Sequence, residues 1–299
     1  MSLVSLKKSL EIDKNLYARN PHFGMDIYAK DFEVDSCIIL ENNGEGLKGI
    51  PIKCAYYELN LSLVGTSTRQ INQFEYKISP HSLQLILAKD MHSFLYEKNS
   101  HEYIILFDEN FLTKEMQELI LFHRENQVLA LLDTSSFNKV LELYKQIDCE
   151  FKKKDINYIE FIKTLLAQIL YFLKREKLNY KKVIYTRQEH LSNQFLSLVE
   201  ESFLTKKTLQ EYAFMLNITP KYLSKIIKDT HNKSALYCIH TRLIKEIQYL
   251  LCYSHKSIKE ICSYLNFKDI STLGRFFKKY ENITLKEYRL KYQIQATKR

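Results

Sequence analysis

The sequence predicts an α+β chain in two parts: an N-terminal β-sandwich or small barrel with appended helices, then an all-α domain of two short-helix pairs joined by a long helix. Three observations predict it. From about residue 32 to 108, short runs rich in β-branched and aromatic residues alternate apolar with polar side chains, which is the period of pleated strands. After "FDENFL" the apolar spacing changes to three and four, that of amphipathic helices. Charge is also divided unevenly. Residues 181–299 hold 22 Lys and Arg against 10 Asp and Glu, a net of +12 in a chain whose total is +9.

A length of 299 residues exceeds what one core usually supports, and the charge step predicts units over 1–180 and 181–299. The boundary falls in "KLNYKKVIYTRQ" (177–188), which is basic and weakly periodic. With 45% apolar residues and only 6 Gly and 4 Pro, the chain is neither disordered nor low-complexity. The best apolar run, "FIKTLLAQILYFL" (161–173), is too short to span a bilayer and contains Lys163. The N-terminus lacks the features of a signal peptide. A cytoplasmic protein with no membrane partner is expected. Six scattered cysteines without a close pair read as free thiols, and neither they nor the histidines form a zinc pattern.

In the N-terminal part, "DFEVDSCIIL" and "AYYELNLSLVG" read as strands. In the second, Tyr57, Leu59, Leu61 and Leu63 alternate with Glu58, Asn60 and Ser62, which predicts a half-buried strand with those polar residues facing water. "ENNGEG" (41–46) is a turn. "QFEYKIS", "HSLQLILA" and "EYIILFD" continue as strands between corners at Ser79-Pro80-His81 and Ala88-Lys89-Asp90. Residues 1 to about 30 carry no clear pattern. A helical hairpin is expected over about 135–177, with stripes at Phe137, Val140, Leu141 and Tyr144 and at Ile159, Ile162, Leu166, Ile169 and Leu173. The hairpin holds more apolar surface than one small sheet needs, so a left-over face and a homodimer are expected.

The C-terminal part is punctuated by helix signals. Thr208 and Glu211, Ser257 and Glu260, and Thr284 and Glu287 have the spacing of capping boxes. Pro220 follows Thr219 at a helix start. Asn217, Asn232, Asn266 and Asn282 stand where helices need a left-handed residue, a role Asn fills best after Gly. The predicted plan is a helix-turn-helix over about 208–230, a linker helix over about 235–253 and a second helix-turn-helix over about 257–280. A rod of that linker length spans roughly 28 Å at 1.5 Å per residue, comparable with the ~34 Å repeat of B-DNA. Charge alone leaves both nucleic acid and an anionic membrane open; this spacing favours double-stranded DNA.

Residues 188 to 292 resemble the DNA-binding domain of the AraC/XylS family of bacterial transcription regulators. The resemblance rests on "YLSKIIKDTHNKSALYCI", "SIKEICSYLNF" and above all "LNFKDISTLGRFFKKYENITLKEYR", where Leu265, Phe267, Phe277, Lys278, Thr284, Tyr288 and Arg289 match the family signature. Asn266 and Asn282 replace its glycines, Leu285 its proline and Leu273 an aromatic. The resemblance implies base contacts from Lys221, Ser224 and Lys225 on one recognition helix and from Ile270, Ser271 and Arg275 on the other. Arg suits a bidentate contact with guanine and Ile a thymine methyl. Lys228, Lys278 and Lys279 are better placed for phosphates. A single lysine at such a position is ordinarily solvated surface; the grouping is what points to a polyanion.

Residues 32–110 resemble, more weakly, the cupin-like sensor domain often joined to this DNA-binding domain, mainly through "ISPHSLQLILAKDMHSF". His81, His92 and His101 are isolated and no H-x-H cluster exists, so no metal and no cofactor is expected. Tyr57, Tyr76 and Tyr103, with Tyr56, are candidates to line a small-molecule effector pocket. The resulting expectation is a non-enzymatic, sequence-specific DNA-binding regulator that responds to a small effector and, if an activator, contacts RNA polymerase. A non-sensing architectural DNA binder and a metal-free cupin enzyme with a DNA-binding tail are the alternatives.

Overall fold

The computed structural model describes residues 3–12, 14–30, 32–42, 49, 51–126, 129–180 and 187–297. The chain divides into two compact units, Met1–Ile71 with Glu75–Lys182, and Asn72–Phe74 with Val183–Arg299. Most of the predicted turn at 41–46 and the centre of the basic stretch at 177–188 lie outside the described residues.

The first unit opens with α1 (Leu6–Ile12) and then builds two antiparallel sheets. Its strands are β1 (Cys37–Glu41), β2 (Ile52–Lys53), β3 (Tyr56–Val64), β4 (Ser67–Ile71), β5 (Phe74–Ile78), β6 (Ser82–Ile86), β7 (Met91–Tyr96), β8 (His101–Asp108) and β9 (Leu129–Leu131). One sheet has the order β1-β8-β3-β6-β9 and the other β2-β7-β4-β5, so the architecture is a two-sheet sandwich and not a closed barrel. The strand β9 was not expected, because its three residues sit between helices and are too few to show a period. The tight corners predicted at His81 and Lys89 are left-handed residues, with φ of 67° and 75°.

Three helices cover one face of the larger sheet: α2 (Lys114–Asn126), α3 (Thr134–Lys153) and α4 (Tyr158–Tyr180). Tyr57, Leu59 and Leu61 of β3 and Ile105 and Phe107 of β8 join Val140, Tyr144, Ile162, Leu166 and Leu173 in a single core. The Tyr144 hydroxyl donates to the Leu59 carbonyl at 3.2 Å. The hairpin's stripes are therefore spent inside the subunit; Leu166 and Ile169 are both fully buried.

The half-buried reading of β3 is corrected by the structure. Asn60 and Ser62 are buried as deeply as the leucines beside them. The polar face of β3 turns toward the second sheet and not toward water, so both faces are covered.

Beyond Asn72–Phe74, the regular elements among the described residues of the second unit are helices: α5 (Arg187–Ser202), α6 (Leu209–Met215), α7 (Pro220–His231), α8 (Ala235–Tyr253), α9 (Ile258–Tyr264), α10 (Ile270–Glu281) and α11 (Leu285–Thr297). The long helix α8 is buried along most of its length and packs against α5, α7, α9, α10 and α11. It is the axle on which both helix pairs are mounted.

Candidate nucleic-acid interface

The two helix pairs repeat each other residue by residue. Thr208 and Ser257 each cap a seven-residue helix with a complete capping box, the hydroxyl accepting from the N3 amide and the N3 glutamate accepting from the cap amide. These bonds hold the Glu211 carboxyl down to about 2, the Thr208 hydroxyl being the largest contributor, and lower Glu260 in the same way through Ser257. Thr284 and Glu287 exchange the same pair of bonds before α11.

The corners repeat too. Asn217 and Asn266 are left-handed, with φ of 53° and 52°. The Ile218 amide donates to Ala213 O and the Phe267 amide to Cys262 O, both at 3.0 Å. This 6→1 bond consumes a carbonyl that the helix end would otherwise leave unpaired. Asn282, in place of the family's glycine, also takes the left-handed conformation, with φ of 59°.

Each second helix has twelve residues. Thr219 caps α7 ahead of Pro220, and Asp269 caps α10 through the Thr272 amide at 2.6 Å. Leu223, Ile226 and Ile227 bury one face of α7; Leu273 and Phe277 do so for α10. The opposite face of α7 exposes Lys221, Lys225 and Lys228, with Ser224 half-buried between them. That of α10 exposes Ile270, Ser271, Arg275, Lys278 and Lys279. All nine predicted DNA-contacting residues thus lie off the core, on two helices of equal length. Phosphates would meet Lys228, Lys278 and Lys279 as point charges, and a base edge in a major groove would meet Arg275 as a planar fork.

What sequence reading missed is how the faces are held. Arg242, fully buried on α8, pairs with Glu200 and Glu246 at 2.8 Å and lies 3.7 Å over the Phe203 ring. This ties α5, beside the first pair, to the axle. The second pair leans on aromatic groups. His240 Nδ1 is 2.6 Å from the Tyr280 hydroxyl, and the rings of His240, Phe276 and Tyr280 meet at 5.2–5.7 Å. Arg289, a family-signature residue, donates to Lys256 O at 2.7 Å and so has a structural role.

In the N-terminal unit the tyrosine candidates do not converge. Tyr57 stacks on Phe107 and Tyr103 on Phe23. Tyr57 lies opposite Phe107 and Tyr103 opposite Leu61 in the sheet register, roughly 14 Å apart along the strands at 3.4 Å per residue. Tyr76 stands on β5, in the other sheet, and Tyr56 is buried against Ser9. The histidines also part: His81 stacks on Phe137, His101 pairs with Glu41, and His92 lies 3.7 Å from Glu58.

A polar cluster that the sequence did not announce lies between the two sheets. Arg69 of β4 meets Glu102 of β8 at 2.5 Å, Gln84 of β6 at 3.2 Å and Tyr96 of β7 at 3.3 Å, with every member buried. Burial works against the guanidinium charge, yet Glu102 holds its pKa above the usual value. Burial lowers the pKa of His92, keeping the imidazole neutral. Both side-chain amide atoms of Asn60, His92 Nδ1 and Arg69 Nε have no hydrogen-bond partner among the described residues. Among those residues no group of three His, Cys, Asp or Glu is arranged to hold a metal, and no helix is long and apolar enough to cross a membrane.

Residues 212–291 match the model of a helix-turn-helix domain family. No curated protein matches the chain. Similar solved structures include ToxT from Vibrio cholerae, 15% identical with a TM-score of 0.40, covering 85% of this chain and 97% of that one. The C-terminal domain of AraT, a response regulator from Geobacillus stearothermophilus, is 22% identical with a TM-score of 0.34, covering 36% of this chain and 88% of that one. The C-terminal domain of the response regulator yesN from Fusobacterium nucleatum is 25% identical with a TM-score of 0.32, covering 33% and 98%.

Proposed function

We propose that this chain, which carries an AraC-type helix-turn-helix domain at its C-terminus, is a sequence-specific DNA-binding transcription regulator whose N-terminal unit receives a small effector. One observation carries the DNA reading: two helix-turn-helix pairs with the same caps and corners present cationic outer faces from one rigid axle. A lone basic helix would need no second copy built to the same plan. Lys221, Ser224, Lys225, Ile270, Ser271 and Arg275 are assigned to base edges, and Lys228, Lys278 and Lys279 to phosphates. Selection of duplexes by the full chain from a randomised pool tests this. A recovered motif in two parts supports it; recovery of unrelated sequences whose affinity tracks salt alone would contradict it.

The effector reading is supported by the inter-sheet cluster more than by the tyrosines. A buried side-chain amide without a partner is costly unless something satisfies it, and the Asn60 amide lies buried in that interior with neither atom bonded among the described residues. The chemistry fits a small, hydroxyl- or carbonyl-bearing ligand. Thermal-shift screening of a metabolite panel against the full chain and the Asn60→Leu variant is the test. A polar metabolite that stabilises the first and not the second supports the assignment; equal shifts in both would place the ligand elsewhere. A homodimer belongs to the same reading, with Phe161 and Tyr171 exposed on α4 as its apolar surface. RNA polymerase is the further partner if the regulator activates.

A further inference from the structure

Two of the hydrogen bonds that leave Lys207 reach across the DNA-binding unit. Its backbone amide donates to Glu211 Oε2 at 3.0 Å, so the residue is built into the capping box of the first helix-turn-helix. Its ammonium, 58 and 59 residues away in sequence from its acceptors, donates to Leu265 O at 2.5 Å and Asn266 O at 2.7 Å. Those carbonyls belong to the corner of the second helix-turn-helix, at the C-terminal end of α9, where the helix dipole favours a cation. The same ammonium lies 4.3 Å from the centroid of the Phe267 ring, within cation–π range. The corner answers in kind: Asn266 Nδ2 donates to Leu204 O at 3.0 Å. From Phe267 the contact continues to Phe276 at 5.4 Å, on the recognition helix α10, and from there to Tyr280 and His240 on the axle α8.

We infer that Lys207 and Asn266 form a latch between the two helix-turn-helix units that fixes the separation and phase of the two recognition helices, and so selects the spacing between the two parts of the DNA site. The inference rests on the DNA-binding reading above. The helix α8 packs against members of both pairs, and a lysine that served as ordinary surface charge would not aim at two main-chain carbonyls and a ring face. The need for accuracy is geometric. One extra base pair moves a sub-site by about 3.4 Å and rotates it by about 34–36°, since B-DNA completes a turn in 10–10.5 base pairs. A rigid pair of readers therefore rejects the wrong spacing, and a loosened pair tolerates it.

The test uses the full chain and the two-part duplex it selects, together with duplexes carrying one and two base pairs added or removed between the parts. The chain with its own Lys207 should reject the altered spacings by about tenfold or more, the scale of one mismatched base pair. Lys207→Met keeps the stem over Phe267 and removes the donor; Asn266→Gly keeps the left-handed corner and removes the amide. Each should shrink that discrimination to about threefold or less, while the salt slope and the order of preference within each sub-site stay unchanged. Lys207→Arg should restore part of it. A fall in melting temperature with spacing discrimination intact would reduce the latch to a stabilising contact and overturn the inference. Equal weakening on every duplex with a shallower salt slope would make Lys207 a phosphate contact, which also overturns it. If the chain with its own Lys207 selects no duplex at all, the DNA reading fails, and this inference with it.

Discussion

Leu216-Asn217-Ile218 of the first helix-turn-helix and Leu265-Asn266-Phe267 of the second make the same main-chain bonds, yet what surrounds each differs. The first pair sits on a core of Leu191, Phe195, Val199, Leu223 and Ile227 and is tied to the axle side by the buried Arg242 ion pairs. The second is held by the tilted rings of Phe267, Phe276 and Tyr280 and by the latch from Lys207. Their outer faces differ as well: three lysines and a serine on one, an arginine, an isoleucine, a serine and two lysines on the other. The shared skeleton therefore carries two unlike outer faces.

Breaking the first anchor has the largest expected effect. Arg242→Met removes the cation between Glu200 and Glu246, the latter fully buried, and should cost about 3–5 kcal/mol, because a buried carboxylate loses its counter-charge. Urea denaturation of the full chain checks this, with the loss confined to the transition that reports the helical unit. Phe276→Leu, which disturbs the second anchor while leaving an apolar side chain, should cost about 1–1.5 kcal/mol in the same measurement, near the upper limit for volume-conserving swaps.

The faces give effects on binding that are more selective. Arg275→Ala should weaken the selected site by about 1–3 kcal/mol and relax preference at one base pair. Lys278→Ala should weaken selected and random duplexes alike and reduce the salt slope by about one unit. Fluorescence anisotropy titrations at several salt concentrations separate the two. Equal losses on both duplexes for Arg275→Ala would remove it from base reading.

The smallest effect is a matter of pH. Glu211 is depressed to about 2 by its capping bonds, from an ordinary value of 4.5. A depressed carboxyl stabilises the fold above its unfolded pKa and loses that contribution as pH falls from 4.5 toward 2. Glu211→Gln should therefore be less stable than the parent by about 0.5–1 kcal/mol at pH 7, a typical cap contribution, and the two should converge as pH falls below 4. A constant difference across that range would mean the charge is not what the cap uses.

Legibility in the sequence followed locality. Caps, corners and helix lengths in the second unit depend on residues three to six apart, and the long helix runs over Ala235–Tyr253. The solvent side of α7 was readable for the same reason, since a stripe at Leu223, Ile226 and Ile227 assigns the opposite side to solvent. The sandwich was less legible. Asn60 and Ser62 looked like a water-facing edge because alternation cannot distinguish water from a polar interior, and Arg69 finds Glu102 only 33 residues later across two sheets. Lys207 carried no local mark at all, since its partners lie in the other repeat.

Hydroxyl-radical footprinting of the full chain on its selected duplex tests the central claim most directly. Two readers on one axle predict two protected tracts on the same face of the DNA, centred about one helical turn apart at roughly 10–10.5 base pairs, with Arg275→Ala weakening the tract under α10 and leaving the other in place. A single tract, or continuous protection that follows no sequence, would contradict the account.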